Sequence, residues 1–357
     1  MHYEPVDHVP DIEFGYWDEV YGLWHQQGMP KWVTDKEKAN KFFGFETREM
    51  VPVWHGVLPN FEEGIIEDSE TREVIRDFEG VLYERNKDGT SCIPHFLEFP
   101  VKNRKDWKEY KKRLDPATPG RLPASEEWTR YAEKASSSDL PVRLNLGSMF
   151  GKVRDWMGFE EVAIACIEDP ALIHDMCETV CEMSCVLVER VLKDIKVDYA
   201  YFWEDIAFNH GPIISPKMFR EFLVPRYKRV TEICHKYGLD FIYVDCDGNI
   251  HDIAGLWLGA GVNCMFPLDV AGRTDAFALR KQYGKEMLLM GGVAKMALIR
   301  GGKAIDEELM RIKPLVEDGG YIPHVDHLVP ADVTYENYLY YIKRKREVFG
   351  IPERDVG

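Results

Sequence analysis

The stretch FIYVDCDGN, residues 241–249, comes directly after SPKMFREFLVPRYKRVTEICHKYG, residues 215–238, and the pair reads as a helix feeding a β-strand. The longer segment carries apolar residues at helical spacing, is interrupted at Pro225 and ends at Gly238, as helix C-termini commonly do. The run that starts at Phe241 is apolar and β-rich until it reaches Asp245, Cys246 and Asp247. Similar β-rich runs lie near residues 9–15, 50–57, 142–148, 199–206, 263–268, 286–292 and 321–326, each followed by a turn and a helical segment. Repeated β-α units imply parallel strands. Eight of them predict an α/β fold, the (β/α)8 TIM barrel, for which 357 residues is an ordinary length. The exception is residues 67–98, where FEGVLYERNKDGTSCIPHFLEF predicts a β-hairpin turning at Lys87-Asp88-Gly89, inserted in one barrel domain that spans 1–357.

Bulk composition removes several function classes. A net charge of -16 argues against a nucleic-acid surface, which needs clustered Lys and Arg to displace counterions. No run of about eighteen apolar residues marks a membrane span, and MHYEPVDHVPDIEF lacks the basic start and apolar core of a signal peptide. The expectation is a cytoplasmic protein with reduced thiols. Cys177, Cys181 and Cys185 recur every four residues, but they read as small apolar packing on one side of a helix.

Barrel enzymes place their chemistry at the C-terminal ends of the strands. In the predicted strands those ends hold Tyr16 and Trp17, His55, Asn145, Trp203 and Glu204, Asp245 and Asp247, and His324, Asp326 and His327. Side chains alternate along a strand, so Asp245 and Asp247 share one face while Cys246 points away. Two carboxylates that close would bind a cation or push one pKa upward, leaving a proton donor near neutral pH. Asp247-Gly248-Asn249 also suits a plain turn with a helix cap. Of the adjacent pair Glu204 and Asp205 a regular strand can face only one inward; Glu204, in register with Phe202 and Ile206, is the candidate, although the same register would suit a residue facing the helices.

The second half of the chain resembles the uroporphyrinogen decarboxylase superfamily, on GPIISPKMFREFLVPRYKRV, DCDGN, GAGVN with PLDVAG, KQYG with LMGGV, and GGYIPHVDHLVP with ENY, in that order. The resemblance runs from about Leu144 to Arg346 and implies the eight-stranded barrel. The superfamily's decarboxylases carry an Arg-Gln-Ala-Gly-Arg motif after the first strand to hold substrate carboxylates; here the stretch is EFGYWDEV. Its coenzyme M methyltransferases bind zinc through a His-x-Cys pair and a later Cys, whose positions correspond to Asp245, Asp247 and His327, so all three ligands differ.

What the resemblance then implies is the branch that demethylates a small methylated substrate, an aromatic methyl ether, and passes the methyl group to the cobalt of a separate corrinoid-binding protein. Asp245, Asp247, His327 and Glu204 are the implied catalytic set, with Asp245, Asp247 and His327 the candidate ligands if zinc is held. Tyr16, Trp17, His55, Asn145, Trp203 and His324 are the implied substrate-binding residues. A decarboxylase of a small carboxylic acid and a noncatalytic binding barrel are the alternatives, and a homo-oligomer is compatible with either.

Overall fold

The computed structural model describes residues 3, 4, 6–87 and 94–353. Seven parallel strands hydrogen-bond side by side in chain order. They are β1 (Glu49–Met50), β2 (Val142–Asn145), β3 (Tyr199–Trp203), β4 (Ile242–Asp245), β5 (Cys264–Phe266), β6 (Leu288–Met290) and β7 (Tyr321–Ile322). Register pairs Asn145 with Tyr201, Trp203 with Asp245, and Asp245 with Phe266, so the strand ends on these staves lie level. The sheet curls into the barrel predicted from the repeated units.

The strands are shorter than the apolar runs suggested. Past β1 the chain reaches Pro52, which has no N–H for a ladder. The helical segment that feeds β4 is two helices, Pro216–Phe222 and Val224–Lys236, with Pro225 in the first turn of the second, where its missing donor costs nothing.

The expected first strand is the one place where the ladder fails. Residues 11–16 fill the eighth position, but only Tyr16 forms a β-bridge, to Val329. On its other side the segment makes one backbone bond, Glu46 N–H to Asp11 C=O at 2.9 Å. Alternation nevertheless persists: Ile12 and Phe14 pack against the barrel interior, while Asp11 and Glu13 turn outward and are buried. There Lys345 Nζ lies 3.1 Å from Asp11 Oδ1 and 2.8 Å from Glu13 Oε1, and Arg346 Nε lies 2.8 Å from Asp11 Oδ2. Tyr341 Oη and Val325 N–H also donate to Glu13, at 2.8 and 3.1 Å. Burial opposes the charges, but each outweighs the penalty on its partner, so Asp11 is held below its ordinary pKa and Lys345 above.

The insertion is larger than a hairpin. It is a four-stranded antiparallel sheet of Gly64–Asp68, Arg72–Arg76, Leu82–Asn86 and His95–Glu98. Of its two extra turns, the second is set by Asp77, whose Oδ1 accepts from Glu79 N–H and Val81 N–H, both at 2.9 Å, an Asx geometry. The expected turn at Asp88-Gly89 lies outside the described residues.

Two hydrophobic layers result. A large one lies between strands and helices and includes Phe202, Val244, Cys246 and Met265; a small one lies inside the barrel, around Tyr243, Phe266, Leu288, Met290 and Ile322. Along β3 burial alternates, with outward residues sealed under helices and inward residues still partly solvated. The interior is hollow: a cavity of about 370 Å³ runs within it, where barrels of this kind usually stack side chains.

Because the eighth stave is held by charge more than by ladder bonds, Lys345→Met is expected to lower stability by about 3–5 kcal/mol, the cost of leaving a buried acid unpaired. Thermal and urea unfolding followed by circular dichroism would measure it.

Candidate active site

At the C-terminal end of β4 the alternation holds as predicted. Asp245 continues the inward row of Tyr243, while Cys246 sits in the outer layer, its Sγ accepting from Ile206 N–H at 3.3 Å. Asp247 lies in the turn, where its Oδ2 is 3.0 Å from His327 Nε2. Gly248 must be glycine: it has φ +82°, and a Cβ there would meet Ala207 O at 2.5 Å. Asn249 Oδ1 accepts from His251 N–H at 3.2 Å, so the stretch is a turn, while the helix His251–Leu258 starts after Ile250 with no side-chain cap.

The adjacent acids divide opposite to the expectation. Glu204 faces the helices, fully buried, and its carboxylate accepts from Met149, Phe150 and Gly151 N–H at 2.7, 2.9 and 2.9 Å and from Ser148 Oγ at 3.2 Å. It closes the N-terminus of the helix Gly151–Met157, whose free N–H groups attract an anion. Burial still pushes its pKa up. Asp205, by contrast, takes φ +44°, a strained conformation for a non-glycine residue, and swings its carboxylate to accept from Asp247 N–H at 3.3 Å. Strict parity could not reveal this residue, because the strand has already ended at Trp203.

Three carboxyl groups therefore share the strand ends of β3 and β4. Burial, with the charge of Asp247, pushes Asp205 up to about 6. Burial together with Asp205 and Asp247 raises Asp245 well above its ordinary value. For His327 burial opposes the charge, but the hydrogen bond and charge of Asp247 outweigh it and leave the imidazole above its usual pKa. The site thus favours a protonated Asp245, with Asp205 pushed up to about 6 and an imidazole raised above its usual pKa beside it.

The remaining candidates separate into four environments. Trp17 and Phe14 enclose His327, with ring centroids 5.7 and 5.6 Å away. Tyr16 does not join them: it is buried in the outer core, with its hydroxyl 2.9 Å from that of Tyr338. His55, Asn145 and Trp203 gather in a second cavity of about 290 Å³ that also meets Phe78 and Glu79 of the insertion. In it His55 Nε2 contacts Asn145 O at 3.0 Å, and burial pushes the imidazole down to about 4. His324 lines the interior cavity instead; its Nδ1 bonds Val325 O at 2.8 Å, Nε2 has no partner, and burial pushes it down to about 3.

Asp326 is a loop clamp, accepting from Val270 and Lys295 N–H at 3.1 and 3.0 Å. Lys295 Nζ lies 3.7 Å from Asp269 Oδ1, adding a cation beside the cluster. Zinc does not fit this arrangement. Among the described residues no three His, Cys, Asp or Glu side chains converge as a metal site, and Nε2 of His327 is already engaged by Asp247 at 3.0 Å.

A hollow α/β barrel with coupled acids at its strand C-termini has the construction of a barrel enzyme. The model of the uroporphyrinogen decarboxylase (URO-D) family matches residues 85–348, and the chain belongs to that family. Among solved structures it is similar to a methyltransferase from Methanosarcina mazei, at 18% identity and a TM-score of 0.59 over 97% of this chain and 96% of that one, a likeness of fold. No curated protein matches the chain. Among the described residues no helix is long and apolar enough to cross a membrane.

The division of labour between the two neighbouring acids is testable. Glu204→Ala strips the acceptor from three buried backbone N–H groups and is expected to cost at least about 3 kcal/mol of stability, whereas Asp205→Asn should leave the melting temperature within a few degrees; differential scanning calorimetry of both variants decides it.

Proposed function

We propose that the protein is a methyltransferase that demethylates a small methylated substrate, an aromatic methyl ether, and passes the methyl group to the cobalt of a separate corrinoid protein. The observation that carries this reading is Asp245, a carboxyl group favoured in its protonated form at the C-terminal end of β4, with its side chain lining a cavity walled by aromatic rings. An ether is a poor substrate for methyl transfer because the departing oxygen leaves as an anion unless it is protonated. In the proposed step the methyl carbon–oxygen bond breaks, its electron pair stays on oxygen, and Asp245 supplies the proton. The methyl group moves to the acceptor, a reduced cobalt that contributes the electron pair of the new bond.

The chain's own residues perform the rest. Asp205 and Asp247 keep the Asp245 proton in place electrostatically, while His327 fixes the Asp247 carboxylate at 3.0 Å. Trp17 and Phe14 pack around the His327 ring and fix its position. No step runs through zinc, since the donor set does not assemble as a metal site.

Incubation with a reduced corrinoid protein and a panel of methoxylated aromatics should give the absorption spectrum of the methylated corrinoid, and transfer from no donor would refute the reading. Asp245→Asn should lose about 10²–10⁴-fold in kcat/KM, the usual worth of a positioned acid. The sign of the pH dependence also follows. Asp245, raised well above its ordinary value by burial and by Asp205 and Asp247, loses its proton as pH rises. kcat/KM is therefore expected to fall from mildly acidic to alkaline pH.

A second reading is favoured by a specific feature, the guanidinium of Arg143 in the interior cavity: decarboxylation of a small carboxylic acid, with Asp245 protonating the carbon left behind. Carbon dioxide release with no corrinoid requirement would identify it.

A further inference from the structure

The stretch after the first predicted strand offers no arginine to a substrate, but the interior of the barrel does. Arg143 on β2 points inward, its guanidinium 4.5 Å from the ring centroid of Tyr201, with Nη1 donating to Tyr243 Oη at 2.7 Å and Nε to Met50 Sδ at 2.9 Å. Nη2 bonds no described protein atom, and no carboxylate pairs with the guanidinium among the described residues. Arg48 lines the same cavity, and Lys36 lies near enough to both arginines for their charges, after burial, to help push it down to about 8.

Arg143, Arg48 and Lys36 are half-buried; cations drawn out of water are normally paired, and the acids around this cavity are already engaged. Glu13 is held by Lys345, Tyr341 and Val325, Glu46 by His8 at 2.7 Å, and Asp198 accepts from Val142 N–H at 2.7 Å. Asp245 favours its neutral form. The interior is therefore a cationic floor without its anion.

The walls above that floor are aromatic. Tyr201 and Tyr243 stack with centroids 5.2 Å apart at 13°, Tyr243 meets Phe266 at 5.3 Å, and Phe266 meets Phe14 edge-on at 4.7 Å. Such a belt accepts a planar ring in offset or edge-to-face contact. At the upper end Asp245 stands two residues beyond Tyr243, about 7 Å along the strand, and His324 presents an unpartnered Nε2.

We propose that the hollow interior binds a small aromatic monocarboxylate, its carboxylate on Arg143, its ring within the Phe14, Phe266, Tyr243 and Tyr201 belt, and its neutral far end against Asp245 and His324. One carboxylate is the limit, because a second at the far end would meet Asp205, Asp245 and Asp247. A guanidinium fork matches the planar carboxylate with two parallel N–H bonds. The volume of about 370 Å³ lies in the range of small-molecule pockets. The assignment rests on the methyl-transfer reading above, since a methoxy group could be carried at the neutral end of such a ring.

Isothermal titration calorimetry on the purified chain tests it with benzoate, its neutral isostere benzamide, and acetate. Benzoate should bind at least tenfold more tightly than either of the others. Arg143→Met should weaken benzoate about tenfold to a hundredfold, the worth of a charge-assisted pair, and leave benzamide unchanged. Met290→Trp fills the cavity without touching Arg143 and should abolish benzoate binding, which keeps the test decisive should Arg143→Met fail to fold. No benzoate binding, equal affinity for benzoate and benzamide, or undiminished benzoate binding in either variant would overturn the proposal. Methyl transfer from a neutral donor with no benzoate binding would sink the cavity assignment and leave the reaction standing; Arg143-dependent benzoate binding with no methyl transfer would do the reverse.

Discussion

A buried cluster of charge closes this barrel. Seven staves are joined by backbone hydrogen bonds, but the eighth, residues 11–16, is fastened outward by Asp11 and Glu13 to Lys345 and Arg346 of the last helix, Tyr335–Phe349. Arg346 also donates to Phe43 O at 2.6 Å, so one guanidinium ties that helix both to the closing stave and to the helix before β1. The placement of Phe14 in the interior and Trp17 over His327 follows from where this stave is pinned. Ends of the chain more than 300 residues apart thus define a single wall of the site.

The site itself is organised by a contrast between two kinds of buried acid. Glu204 is surrounded by backbone donors and serves as the anchor of a helix start. Asp205 and Asp245 are buried beside the charge of Asp247 with few donors, so each holds its proton more tightly than an ordinary carboxyl. Similar chemistry one residue apart yields a structural carboxylate at Glu204 and, at Asp205, a member of the acid cluster around the candidate proton donor Asp245.

Much of this was legible in the sequence because it depends on period. The β-α repeat gave the barrel, and two-residue alternation placed Asp245 inward and Cys246 outward. Arg143 was missed although it shares a face with Asn145 in the strand VRLN, because a lone arginine among apolar residues carries no sign of being unpaired. What escaped was irregular. The left-handed backbone at Asp205 breaks alternation where the strand stops, Tyr16 was drawn into the core by Tyr338 across 322 positions, and the closing stave kept its alternation while losing its ladder. The insertion read as a hairpin because the outer pair of strands, with exposed residues throughout Gly64–Asp68, lacks a hydrophobic pattern to announce it.

The hollow centre has a thermodynamic side. Where other barrels stack side chains in layers along the axis, this one leaves Tyr199, Tyr201 and Phe241 partly solvated, and the contact free energy of those rings is not spent in folding the empty chain. A molecule that fills the space completes the core as it binds, so occupancy and fold stability are linked: each tenfold excess of ligand over its dissociation constant adds about 1.4 kcal/mol. The empty protein is in this sense an unfinished core, and its melting temperature is a gauge of what fills it.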